Sequence, residues 1–219
     1  MNSRIEKNND IEVLRALAVV MVVVAHAQNN LINWTSPTLD LFYRYFSGGV
    51  GVDLFFVISG FVIARGFVFR LSEADDTSKR TAVVLAFWVR RFFRIIPLAW
   101  LWLAIILMAT VFLNESGVFG SFSSNLGGAI AAVLQVANIR FQDCFMHYDC
   151  GATFVYWSLS LEEQFYIALP IMVLLFKRYF THALVVLLVY QLFFSSGYNF
   201  AFRFEGLVFG VLLALFSKG

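Results

Sequence analysis

Of the ionisable side chains inside apolar stretches of this chain or at their edges, seven have types and spacing suited to chemistry: Arg15, His26, Asp53, Arg91, Arg94, Glu162 and Glu163. Arg15 and His26 bracket ten apolar residues, Ala16 to Ala25. In a helix, eleven residues return His26 to within roughly 20° of the face of Arg15, about 16 Å further along the axis. An imidazole beside a carboxylate is oriented and made more basic, which suits it to take a proton from a hydroxyl. Asp53, Glu162 and Glu163 are the carboxylates available. Arg91 and Arg94, three apart, share a helical face, and arginine forks match phosphate oxygens two at a time. With Arg15 at a comparable level, they are suited to hold a polyphosphate. Each feature has a plainer reading. Arg15 can reach back to the headgroups, Arg91 and Arg94 can anchor on anionic lipid, and a glutamate can pair with Arg203. Ser59 is a possible nucleophile, although a membrane-helix serine commonly bonds its own backbone.

The elements that must position these residues follow from composition. The chain has 219 residues, 60% of them hydrophobic, with 26 Phe. Soluble domains are about 45–50% apolar, so this is an integral membrane chain that meets the lipid bilayer. A net charge of +2 gives no reason to expect nucleic acid. The first apolar stretch, Ile11 to Asn29, lacks a cleavage-like end and reads as a retained helix. Spans follow at about Ser47–Phe69, at 87–113, at Phe154–Phe176, at about His182–Ser196 and at Phe202–Phe216. Ser121 to Asn138 is short and contains Gly127 and Gly128, so it reads as re-entrant. The expectation is an all-α polytopic transmembrane bundle of about six spans plus one re-entrant segment. Basic residues around the second loop and at Lys177 and Arg178 place the amino terminus in the cytoplasm.

This topology sorts the charges into two depths. His26, Asp53 and one of Glu162 and Glu163 fall in the outer half, since adjacent residues differ by about 100° and only one can face a site. The arginines fall in the inner half. A donor with a phosphate head and a long reactive arm, such as coenzyme A, fits that separation. Cys144 and Cys150 lie on the oxidising side and are disulfide candidates. Metal binding by these cysteines with His147 is the competing reading, without a convincing fourth ligand.

Five motifs in order then carry a resemblance: LRALAVVMVVVAH, GGVGVDLFFVISGFVI, RRFFRIIP, WSLSLEEQFY and RFEGLVFGVLLALF. Together they resemble the integral-membrane acyltransferase family 3, whose bacterial members O-acetylate surface glycans. The resemblance implies an O-acyltransferase of the inner membrane with no permanently bound cofactor and no metal. It implies acetyl-CoA or another acyl-CoA as donor and a cell-surface carbohydrate hydroxyl as acceptor. By position, His26 and Arg15 match the family's pair in the first helix, Arg91 and Arg94 its R-x-x-R, and Asp53 with Glu162 or Glu163 its acidic positions. Family members are longer, so residues 1–219 are expected to form the amino-terminal part of that domain. A transporter of an acyl donor or lipid-linked sugar, or an inactive short homologue, are the alternatives.

Overall fold

The structure, a computed structural model, describes residues 9–28, 34–145, 147–194, 199 and 201–217. Among these residues there are ten α-helices and no β-strand: α1 (Asn9–Ala27), α2 (Pro37–Tyr45), α3 (Gly48–Ile63), α4 (Phe69–Glu73), α5 (Thr77–Phe112), α6 (Phe122–Val133), α7 (Ala137–Cys144), α8 (Tyr156–Phe176), α9 (Phe180–Phe194) and α10 (Glu205–Phe216). A π-helical turn, Ala64–Val68, joins α3 to α4. Two compact units result, one within Met1–Val62 and Gly206–Gly219, the other Ile63–Glu205.

Three helical stretches are long and apolar enough to cross a membrane: Pro37–Glu73, Thr77–Phe112 and Ala152–Phe193. The expected count was about six. Charge and length account for the difference. Among the described residues, the 19-residue α1 carries Asp10, Glu12 and Arg15, the fourth and fifth expected spans fall in the single stretch Ala152–Phe193, and α10, at 12 residues, reaches only about 18 Å against a hydrocarbon core of about 30 Å. The expected boundaries at Asn29 and Ser196 lie outside the described residues.

The first unit packs through small residues, as membrane helices do when hydrophobicity gives no drive between them. A Cβ on Gly51 would sit 2.8 Å from the Ala18 carbonyl oxygen and 3.0 Å from Met21 Cβ, and one on Gly48 would strike Ala25. On the other side of α3, Gly60 meets the Leu207 carbonyl, and Gly206 and Gly210 of α10 meet Phe56 and the Val57 carbonyl. The segment expected as a polar loop around Pro37 is instead α2. Ser36 caps it by accepting from Leu39 N at 3.2 Å, Pro37 fills its first position, and Tyr43 donates to the Val24 carbonyl at 3.0 Å.

In the second unit, α5 runs 36 residues, about 54 Å. It starts ten residues before the expected Phe87, because Asp76 accepts from Lys79 N at 2.8 Å and caps it. The charged loop expected over residues 70–80 shrinks to Ala74–Asp76. The segment read as re-entrant is α6, which ends at a turn where Gln135 has φ 57° before α7 begins. Alanines 129, 131, 132 and 137 form one buried cluster with Leu103 and Tyr156. Their small side chains let α6 and α7 sit closely against α5 and the start of α8.

Buried hydrogen bonds hold this wedge. Asn125, fully buried, donates to the carbonyls of Phe119 (2.6 Å) and Ser121 (3.1 Å) and accepts from Thr153 N (3.2 Å). Cys144 and Cys150 form a disulfide with a Cα separation of 5.4 Å. In that state neither sulfur is a thiolate ligand, and no cluster of three or more metal-ligating side chains occurs among the described residues. Beside it, Asp149 accepts from Ser121 N at 2.9 Å and Gly151 N at 2.8 Å. These backbone N–H groups, with the Ser124 and Ser121 hydroxyls, hold its carboxyl below the usual carboxylate range.

Candidate active site

The position of α8 along α5 is set at two points. Near its start, the Tyr156 hydroxyl donates to the Ala99 carbonyl at 2.8 Å. Ten residues on, Trp88 Nε1 donates to the Tyr166 carbonyl at 3.0 Å. The second contact has a sequence cause. Pro170 lies inside α8, four residues after Tyr166, and has no N–H to offer that carbonyl. The indole of α5 supplies the missing donor. With 156 opposite 99 and 166 opposite 88, Glu162 and Glu163 fall level with residues 91–93.

This corrects two expectations. The glutamates and Arg91 are not separated into outer and inner halves; they form one cluster. The wedge of α6 and α7 causes this, since it holds the start of α8 only about five residues beyond Arg94 on α5. Nor does only one glutamate turn inward. Glu162 is 5% exposed and Glu163 9%, with Leu161 beside them at 0%, because this part of α8 is covered over more than half its circumference.

Within the cluster, the Arg91 guanidinium carbon lies over the Tyr166 ring, 4.8 Å from its centre, and over Phe87 at 5.8 Å. Phe87 stacks on Phe67 at 4.2 Å. The Tyr166 hydroxyl hydrogen-bonds Glu162, and Glu163 lies close enough to feel the charge of Arg91. One carboxyl oxygen of Glu163, Oε1, is buried and has no hydrogen-bond partner among the described residues. A cation on aromatic faces beside buried carboxylates can receive an anion and exchange charge with it on binding.

Arg94 is exposed and borders an apolar groove of about 550 Å³. Leu98 and Trp102 of α5 form one wall, and Val155, Tyr156 and Leu159 form the other. The groove starts one turn from Arg91 and runs away from it along α5.

The first unit holds Arg15, His26 and Asp53. Arg15 pairs with Glu12 at 3.4 Å, the side chains being 22% and 48% exposed. Glu12 is a partner that sequence reasoning passed over, although its spacing, three residues before Arg15, was visible. His26 Nδ1 lies 2.8 Å from the Val22 carbonyl. A carbonyl only accepts, so in the neutral ring Nδ1 carries the hydrogen and Nε2 is the nitrogen with the lone pair. Asp53 lies two residues past Gly51, whose neighbours are Ala18, Met21 and Val22. It is therefore a turn or more along α1 from His26, not at the equal depth expected. Arg203, the possible partner of a glutamate from α8, pairs with Glu205 at 3.3 Å. Ser59 is buried in α3 at 5% exposure.

Comparison with known proteins matches an acyltransferase domain, that of acyltransferase family 3, over residues 8–217. Among curated proteins, the chain is 29% identical over 177 residues to the peptidoglycan O-acetyltransferase OatA of Listeria monocytogenes, covering 77% of this chain and 24% of that protein. It is 31% identical over 165 residues to the O-acetyltransferase OatA of Staphylococcus aureus, covering 73% of this chain and 24% of that protein. The chain thus spans about a quarter of the length of these relatives. No solved structure matches it.

Proposed function

The chain belongs to acyltransferase family 3, and from that premise we propose that it takes part in O-acetylation of a cell-surface carbohydrate, moving an acetyl group from acetyl-CoA to a sugar hydroxyl. The observation that carries this reading is the cluster of Arg91, Glu162, Glu163 and Tyr166 at the head of the groove bordered by Arg94. A half-buried guanidinium on an aromatic ring, with a second arginine one turn on, suits a phosphate-bearing head. An apolar groove leading away from the pair suits a long thin arm. Coenzyme A thioesters combine both.

In this mechanism Arg91 and Arg94 hold the donor's phosphates, and Glu162 and Glu163 keep Arg91 in place until the anion arrives. Arg15, steadied by Glu12, supports the donor in its own unit. His26, with Nδ1 fixed on the Val22 carbonyl, takes the acceptor proton at Nε2 as the hydroxyl oxygen attacks the thioester carbon. The carbon–sulfur bond then breaks, the His26 imidazolium gives its proton to the departing sulfur, and coenzyme A leaves as the thiol. The assignment is to a bacterial inner membrane with the amino terminus in the cytoplasm, where acyl-CoA is made.

The test is transfer of labelled acetyl from acetyl-CoA into carbohydrate in membranes carrying this chain, with His26→Gln alongside. Label with the unaltered chain, and at least a hundredfold less with folded His26→Gln, is the expected result. Equal labelling would remove His26 from catalysis. Donor that crosses the membrane with its thioester intact would identify a transporter instead.

A further inference from the structure

Tyr166 has none of the roles assigned above, yet three parts of the cluster meet on it. Its ring lies 4.8 Å from the Arg91 guanidinium. Its hydroxyl bonds Glu162, and its carbonyl, left without a helical donor by Pro170, is held by Trp88 at 3.0 Å. The residue is 2% exposed. We propose that Tyr166 is the positioning residue for Arg91: a platform, fixed at backbone and hydroxyl, that orients the guanidinium without using its N–H donors. An arginine side chain gives up rotamer freedom to bind in one pose. A ring beneath it removes that freedom beforehand and adds cation–π attraction, while the five N–H groups remain available for phosphate oxygens. Phe87, one turn before Arg91 on α5, lies 5.8 Å from the same guanidinium, its ring nearly perpendicular to that of Tyr166. The hydroxyl bond to Glu162 stops the ring from turning, and the Trp88 bond stops α8 from sliding.

This inference rests on the reading that Arg91 meets the donor's phosphates, so the experiment separates the two. The purified full chain is compared with Tyr166→Phe, which keeps the ring, and Tyr166→Met, which removes it while keeping bulk. The first readout needs no donor: the rate at which phenylglyoxal modifies Arg91, followed by mass spectrometry. Tyr166→Met is expected to raise that rate several-fold and Tyr166→Phe to leave it within about twofold. The second readout is kinetic. Tyr166→Met is expected to raise KM for acetyl-CoA about tenfold with kcat within about twofold. KM for acetyl-pantetheine, which lacks the nucleotide phosphates, should not change.

An unchanged Arg91 modification rate in Tyr166→Met overturns the positioning role, as does Tyr166→Phe behaving like Tyr166→Met. If Tyr166→Met does not fold, Trp88→Phe keeps bulk but releases the Tyr166 carbonyl. It is expected to raise Arg91 modification about twofold, and no rise overturns the proposal. Should Arg91→Gln leave KM for acetyl-CoA unchanged while Tyr166→Met still exposes Arg91, the phosphate reading fails and the platform stands.

Discussion

Asp149 shows how one side chain outside the membrane-spanning stretches ties stability to pH. Its carboxylate accepts N–H groups from Ser121 and Gly151, which belong to the two strands of chain leading into α6 and towards α8. Those bonds favour the ionised form, so its folded pKa lies below that of the unfolded chain. A depressed carboxylate contributes stability that is complete above the unfolded pKa and is lost as pH falls through the folded one. Asp149→Asn should therefore lower Tm relative to the parent at pH 7, with the gap closing as pH falls below about 4. Thermal unfolding in detergent from pH 7 to pH 3 measures this. A gap of equal size at every pH would mean that Asp149 acts through packing alone.

At the scale of elements, the first unit depends on where a Cβ cannot go. A methyl group at Gly60 or Gly210 would press on a backbone carbonyl, of Leu207 or Val57, and backbone cannot turn aside as a side chain does. Gly60→Ala and Gly210→Leu are expected to force α3 and α10 apart, lowering Tm and the yield of folded protein. Gly66→Ala is the internal control, since nothing lies within 4 Å of its added Cβ. There the greater helix propensity of alanine should leave Tm unchanged or slightly higher, by up to about 1 kcal/mol of stability. A Tm equally low for all three would show that glycine as such, and not the α3–α10 contact, is what matters. Much of this level was legible in the sequence. Apolar length marked α3, α5 and α8. Two things were not legible. The α2 helix was hidden because its Ser36–Pro37 start reads equally as turn chemistry. The register of α8 was hidden because it depends on how deeply α6 and α7 wedge against α5. That distance is a packing result, and it decided that Glu162 and Glu163 would meet Arg91 and not lie a membrane-half away.

For the whole molecule, the long helix α5 links the cluster's chemistry to its position in a bilayer. From Arg94 to Phe112 is nineteen residues, about 28 Å, which nearly equals the hydrocarbon thickness. The preceding seventeen residues, Thr77 to Phe93, extend the helix by about 25 Å, with Lys79, Arg80, Arg90 and Arg91 in that half. The proposed cytoplasmic amino terminus requires this basic half on the cytoplasmic side, where the proposed acyl-CoA donor is available. The turn after α5, from Asn114 to Gly120, belongs on the opposite face with the disulfide. Ser78 and Ser116 are both exposed, and with Cys144 and Cys150 bonded to each other a single new cysteine is a clean reporter. In intact cells, an impermeant maleimide should label Ser116→Cys, and should reach Ser78→Cys only after the membrane is permeabilised. Labelling of both from one side would mean that α5 does not cross. Reversed sidedness would turn the Arg91 cluster away from the donor pool, and the acyl-CoA reading would fall with it.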